Sequence, residues 1–118
     1  MELRPYQKLI AWKEAHILCL WIFETTKTFP SREQFQLVSQ MRRSAYGVPM
    51  NIAEGNCKRS KKDKARYFEI ALASLEELHY QCFLSKDLGY LSESLFSKSE
   101  DHIKRTSYLI TKLRSSIL

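Results

Sequence analysis

Three histidines, three cysteines and thirteen acidic side chains are the groups in this sequence that can ligate a metal or move a proton. Their spacing assembles neither chemistry. His16, His79 and His102 fall on three different predicted helices, and no Glu-x-x-His or Cys-x-x-Cys pair begins a coordination shell. His79 lies beside the apolar face of its helix and reads as a partly buried histidine with one hydrogen-bond partner. Neighbours on a helix point about 100° apart, so Glu76 and Glu77 do not face each other. Glu69 and Glu76 share a face but stand two turns apart, which suits solvated or subunit-facing carboxylates. Cys57 precedes Lys58 and Arg59, a setting that favours a thiolate, yet no histidine is near it in sequence. Gly47, Gly55 and Gly89 are too dispersed for a phosphate-cradling loop. The expectation is no catalytic residue, no metal and no cofactor.

One feature stands out from an ordinary surface. Between Arg42 and Arg66 lie eight basic residues, Arg42, Arg43, Lys58, Arg59, Lys61, Lys62, Lys64 and Arg66, against two acidic ones, Glu54 and Asp63. That excess equals the formal charge of the whole chain, +6, so the remainder is balanced. An antiparallel hairpin is expected to fold the two basic runs toward each other into one patch. The free N–H groups at the start of the third helix add anion-attracting character. Nucleic-acid backbones are a natural partner for such a patch. A partner protein and plain solvated surface are the competing readings. Tyr46 and Tyr67 lie near enough to the patch to stack on bases, although core-edge packing is the favoured reading for both.

The elements that must position these residues read as helices throughout. Three Gly and three Pro in 118 residues are too few for a turn-rich β fold, and the length suits one domain spanning 1–118. A first helix is predicted from Leu9 to Thr26, with Ala11, Ala15 and Leu18 at three- and four-residue steps. A second begins after Pro30, with Ser31 and Gln34 in capping-box spacing. Its stripe Val38, Met41, Ala45, Val48, Ile52 passes straight through Pro49, which predicts a kink rather than a break. Gly55 is expected to end it in a left-handed conformation. A third helix is capped at Ser60 and ends at Leu88–Gly89, and a fourth is capped at Ser92 or Ser94. Phe96, Ile103, Ile110 and Ile117 recur every seven residues along that last helix. Short connections force sequential helices antiparallel, giving an all-α, up-down-up-down four-helix bundle. No run is long and apolar enough to span a membrane, no secretion signal is visible, and the odd cysteine count argues against a disulfide scaffold. A cytoplasmic protein is expected.

Several of these stretches resemble a known family. Leu9-Ile10-Ala11-Trp12-Lys13, Phe29-Pro30, Gln40-Met41-Arg42-Arg43-Ser44-Ala45 and Val48-Pro49-Met50-Asn51-Ile52-Ala53-Glu54-Gly55 are similar to the four-helix bundle protein family, first noted as products of intervening sequences in large-subunit ribosomal RNA genes. Phe68 with Ala71, Ser74-Leu75-Glu76-Glu77-Leu78 and Leu88-Gly89-Tyr90-Leu91 extend the match over nearly the whole chain. The most specific part is proline, one residue, then Asn-Ile-Ala-Glu-Gly. Gly47 departs from the pattern, since many members carry serine or a similar small residue there.

The resemblance implies a bundle that assembles into a ring, typically a homopentamer. It also implies kinship with the accessory protein of diversity-generating retroelements, which binds a reverse transcriptase and nucleic acid. Carried over, Pro49, Asn51, Glu54 and Gly55 are structural residues closing the second helix. Asn51 then serves backbone groups loosened by the proline, and Glu54 pairs with Arg43 or a cation of the third helix. The expected function is a non-enzymatic homo-oligomeric scaffold contacting RNA or DNA through its basic face. The alternative is a protein–protein interaction module with no nucleic-acid role.

Overall fold

A computed structural model describes residues 2–118, and four α-helices dominate it: α1 (Ile10–Thr25), α2 (Leu37–Asn56), α3 (Lys61–Asp87) and α4 (Glu93–Ser116). Single 3-10 turns at Pro5–Lys8, Thr26–Thr28 and Ser31–Glu33 complete the described elements. α1 packs on α2, α2 on α3, α3 on α4, and α4 closes back on α1. With connections this short the four run antiparallel. The 27 residues of α3 set the long dimension of a body measuring 43 × 28 × 21 Å.

Each helix buries the stripe that its spacing dictates. Ala11, Ala15, Leu18 and Ile22 of α1 face Val38, Met41, Ala45, Val48 and Ile52 of α2 and Phe68, Ala71, Leu75 and Leu78 of α3 in one core. Phe96, Ile103 and Ile110 of α4 complete it. Ser99 and Thr106 are buried between those heptad positions, and each hydroxyl donates to a carbonyl of its own helix, Phe96 and His102. Back-bonding of this kind satisfies a buried hydroxyl within its own helix.

The helix termini follow local chemistry at three places. Ser60 Oγ accepts from the Asp63 N–H at 3.0 Å, and Ser92, not Ser94, accepts from the Leu95 N–H at 3.1 Å. Gly89 has φ +81°, and the N–H groups of Tyr90 and Gly89 donate to the carbonyls of Ser85 and Lys86, forming a Schellman stop.

Two expectations about α2 are corrected. The helix begins at Leu37 rather than after Pro30, and Ser31 makes no side-chain cap. Glu33 accepts from the Tyr90 hydroxyl at 2.8 Å, and Phe29 packs on the Tyr90 ring, 5.5 Å between centroids. These long-range contacts hold residues 29–33 in a tight turn. Gln36, at φ −120° and ψ −101°, then resets the register before the core stripe begins. At the other end, Gly55 is not left-handed, and the helix runs one residue beyond it. Gly55 is there for close approach. A Cβ on it would stand 2.8 Å from the Phe68 ring and 3.0 Å from Tyr67 Cβ.

Helix α2 continues through Pro49 without a break. In the surrounding turns, Asn51 Nδ2 donates to the Gly47 carbonyl at 2.7 Å, and Ser74 Oγ of α3 donates to the Ser44 carbonyl at 2.8 Å. The small residues Ser44 and Gly47 bring α3 close enough for the second bond. A Cβ on Gly47 would lie 2.7 Å from Ser74 Oγ and displace it.

Candidate nucleic-acid interface

The turn from α2 into α3 holds six of the eight basic candidates: Lys58, Arg59, Lys61, Lys62, Lys64 and Arg66. Lys64 Nζ donates to the Asn56 carbonyl at 2.8 Å, placing a cation on the negative end of the α2 dipole. Lys58 Nζ stands 4.9 Å and Arg66 Cζ 5.4 Å from the centre of the Tyr67 ring, so two cations share this aromatic. Arg59, Lys61 and Lys62 are exposed. Among the described residues none of the six takes part in an ion pair. Among the described residues, six cations thus stand together with no carboxylate at ion-pair distance, although Asp63 lies among them in the chain.

Arg42 and Arg43 are not brought to this cluster, which corrects the expectation of one patch from two runs. Ser44 Oγ donates to Glu77 Oε1 at 2.9 Å, so the hairpin register sets this part of α2 opposite Glu77, well up α3 from Lys64 and Arg66. Fourteen residues separate Arg42 from Asn56, about 21 Å at 1.5 Å per residue. Arg42 is moreover consumed inside the protein. Its Nε donates to Thr26 Oγ1 and its Nη2 to the Phe23 carbonyl, both at 3.1 Å, with Cζ 4.9 Å from the Phe23 ring centre. It ties the end of α1 to α2. Arg43 is exposed and lines a separate groove between α2 and α3 with Tyr46, Met50 and Glu77.

Glu54 is exposed and pairs with neither Arg43 nor an α3 cation. Eleven residues of rigid helix, about 16 Å, keep it from Arg43. Its backbone carbonyl instead accepts from Cys57, through the N–H at 3.2 Å and Sγ at 3.1 Å.

Sequence spacing did not reveal what else the bundle gathers at this end. Up-down topology places the start of α1, the α2–α3 turn and the end of α4 together, and the Arg114–Glu69 ion pair joins α4 to α3 there. Residues 1–13, 50–70 and 107–118 carry eleven basic and four acidic side chains, whereas the rest of the chain carries eight and nine. The entire charge excess therefore sits at one end of a 43 Å body. Only the chain path, not any local pattern, brings Arg4, Lys8, Lys112 and Arg114 to that end.

The remaining titratable groups are dispersed. His79 Nε2 lies 3.1 Å from Glu100, and His16 stacks on Trp12 with 4.9 Å between ring centres. Glu14, largely buried between α1 and α4, pairs with Arg105 at 2.9 Å and with His102 at 3.7 Å. Burial pushes the His102 pKa down, with Glu14 opposing and Arg105 adding to the shift. Burial also raises the Cys82 thiol to about 11, and Cys19 moves in the same direction. No group of three or more His, Cys, Asp or Glu among the described residues is arranged to hold a metal. No helix among them is long and apolar enough to cross a membrane.

An antiparallel four-helix bundle with its charge excess at one end defines the class. Over residues 7–112 the sequence matches the family described as 23S rRNA-intervening sequence protein, and the chain belongs to that family. Its fold is similar to the crystal structure, at 1.70 Å, of a protein of unknown function from the S23 ribosomal protein family of Bacteroides thetaiotaomicron. The TM-score is 0.82 at 18% identity, covering 89% of this chain and 98% of that one, a likeness of fold alone. No curated protein matches the chain.

Proposed function

We propose that this protein is a non-enzymatic cytoplasmic scaffold that self-associates, as a homopentamer, and contacts RNA or DNA through the basic end of its bundle. The observation carrying this reading is the cluster Lys58, Arg59, Lys61, Lys62, Lys64 and Arg66, six cations free of ion pairs at the end where the whole charge excess resides. Lysine and arginine arrayed in this way neutralise phosphates and release counterions, so affinity falls steeply with salt. Self-association is supported by large apolar side chains left in water on three helices: Ile10, Ile17 and Leu20 of α1, Tyr46 and Met50 of α2, Ile70 and Tyr80 of α3. Contact between subunits would remove these side chains from water.

A salt series with a structured RNA and a duplex DNA, with light scattering on the same sample, tests both parts. Six phosphate contacts on a duplex predict a log–log slope of about −5 and a loss on the order of a thousandfold between 50 and 200 mM salt. Five chains of 13.9 kDa predict a particle of about 70 kDa. Absence of binding to either nucleic acid at low salt would remove the nucleic-acid part. Salt-insensitive capture of a protein, a reverse transcriptase being the case implied by the retroelement resemblance, would favour the alternative of a protein-only module.

A further inference from the structure

Where the start of α3 and the end of α4 lie side by side, a groove of about 460 Å³ is lined by Lys62, Ala65, Arg66, Glu69, Arg114 and Leu118. Three of these are cations and one is a carboxylate. Glu69 is already engaged, because it accepts from Arg114 Nη2 and so fixes the guanidinium. Arg114 Nε is buried and has no hydrogen-bond partner. A buried charged donor without an acceptor is costly, so this guanidinium gains from any further acceptor that its exposed edge can take. Lys62 and Arg66 add two positive charges with no carboxylate of their own. The remaining lining, Ala65 and Leu118, is apolar, and Leu118 is 70% exposed.

An anion with several acceptor oxygens and an attached apolar-faced body fits this combination. Phosphate matches the fork of a guanidinium, and the ring faces of a nucleoside suit an apolar floor. We propose that the groove seats the phosphate group of a nucleotide. The open edge of the Arg114 guanidinium, whose side chain keeps 32% of its surface in solvent, donates to a phosphate oxygen, Lys62 and Arg66 neutralise the group, and the nucleoside rests on Ala65 and Leu118. For a nucleotide within a strand this deepens, and rests on, the nucleic-acid reading above. A free nucleotide offers the same chemistry.

The test follows the Arg114 Nε–H resonance of the labelled full-length protein during separate titrations with inorganic phosphate, a 5′-mononucleotide and a single-stranded oligonucleotide. Binding is measured in parallel for Arg114→Gln and Lys62→Gln, with folding checked by melting. A saturable shift with mononucleotide and oligonucleotide is expected. Arg114→Gln should weaken oligonucleotide binding about tenfold, as for one charged hydrogen bond, and lower the salt slope by about one contact. Lys62, exposed and unpaired, reports a similar loss if Arg114→Gln fails to fold. A shift with mononucleotide but no oligonucleotide binding would support the seat and sink the nucleic-acid reading. Oligonucleotide binding with an unmoved Arg114 signal and unchanged affinity in both variants would overturn the seat alone. An unmoved signal with all three probes also overturns it.

Discussion

Replacing Arg42 by methionine separates a structural cation from a binding one. The side chain donates to Thr26 Oγ1 and to the Phe23 carbonyl and lies over the Phe23 ring. Hydrogen bonds from a charged donor contribute about 1.5–3 kcal/mol net, and a partly exposed cation–π contact about 0.5–1 kcal/mol. Arg42 is half-buried, so solvent screens part of this, and methionine retains the packing of the stem. A loss of about 2–3 kcal/mol remains, or a fall in Tm on the order of 10 °C for a domain of this size. Arg42→Lys keeps the charge but cannot reproduce two donors from one planar fork, so it should lose nearly as much. Thermal and urea unfolding at matched protomer concentration measure the loss, since any assembly makes Tm concentration-dependent. The triple reversal Arg59→Glu, Lys61→Glu, Lys62→Glu should instead leave stability within about 0.5 kcal/mol while removing nucleic-acid binding. An Arg42→Met protein that melts like its parent and loses one phosphate contact from the salt slope would make Arg42 a binding cation instead.

Gly55→Val should destabilise by about 1–3 kcal/mol, because Tyr67 Cβ moves only with the α3 backbone, whereas a cost below about 0.5 kcal/mol in denaturant melts would mean the helices part freely. Burial holds the His102 pKa below its unfolded value, so in that pH range the folded state binds fewer protons than the unfolded one. Stability contributed by neutral His102 is therefore complete above about pH 6.5 and declines below it, through the folded pKa. His102→Gln, with Glu14, Arg105, Lys98 and Asp101 left around it, should flatten that part of the stability–pH curve. An identical decline in the variant would assign it to other groups.

Much of the fold was legible in the chain because its signals are local. Stripes such as Val38–Met41–Ala45–Val48–Ile52 follow from 3.6 residues per turn, and the caps at Ser60 and Ser92 concern groups three residues apart. The same logic failed for residues 31–36. There the capping-box spacing of Ser31 and Gln34 lost to the contacts of Glu33 and Phe29 with Tyr90, more than fifty residues away. Gly55 looked like a helix stop because glycine commonly is one, yet its reason is the approach of Phe68 and Tyr67, which no spacing within α2 encodes.

The candidate site divides along the same line. That the α2–α3 turn is basic follows from composition and spacing alone. Which cations remain available is a tertiary matter. Arg42 and Arg43 are adjacent and identical in the chain, but a rotation of about 100° sends one into the α1 terminus and leaves the other in water. Only the antiparallel path brings the α4 terminus and its Arg114 to the start of α3. Sequence thus determined the helices and their charge, because backbone hydrogen bonds and side-chain stripes repeat within a few residues. The structure decided which charges face outward and which meet, because that depends on register between helices far apart in the chain.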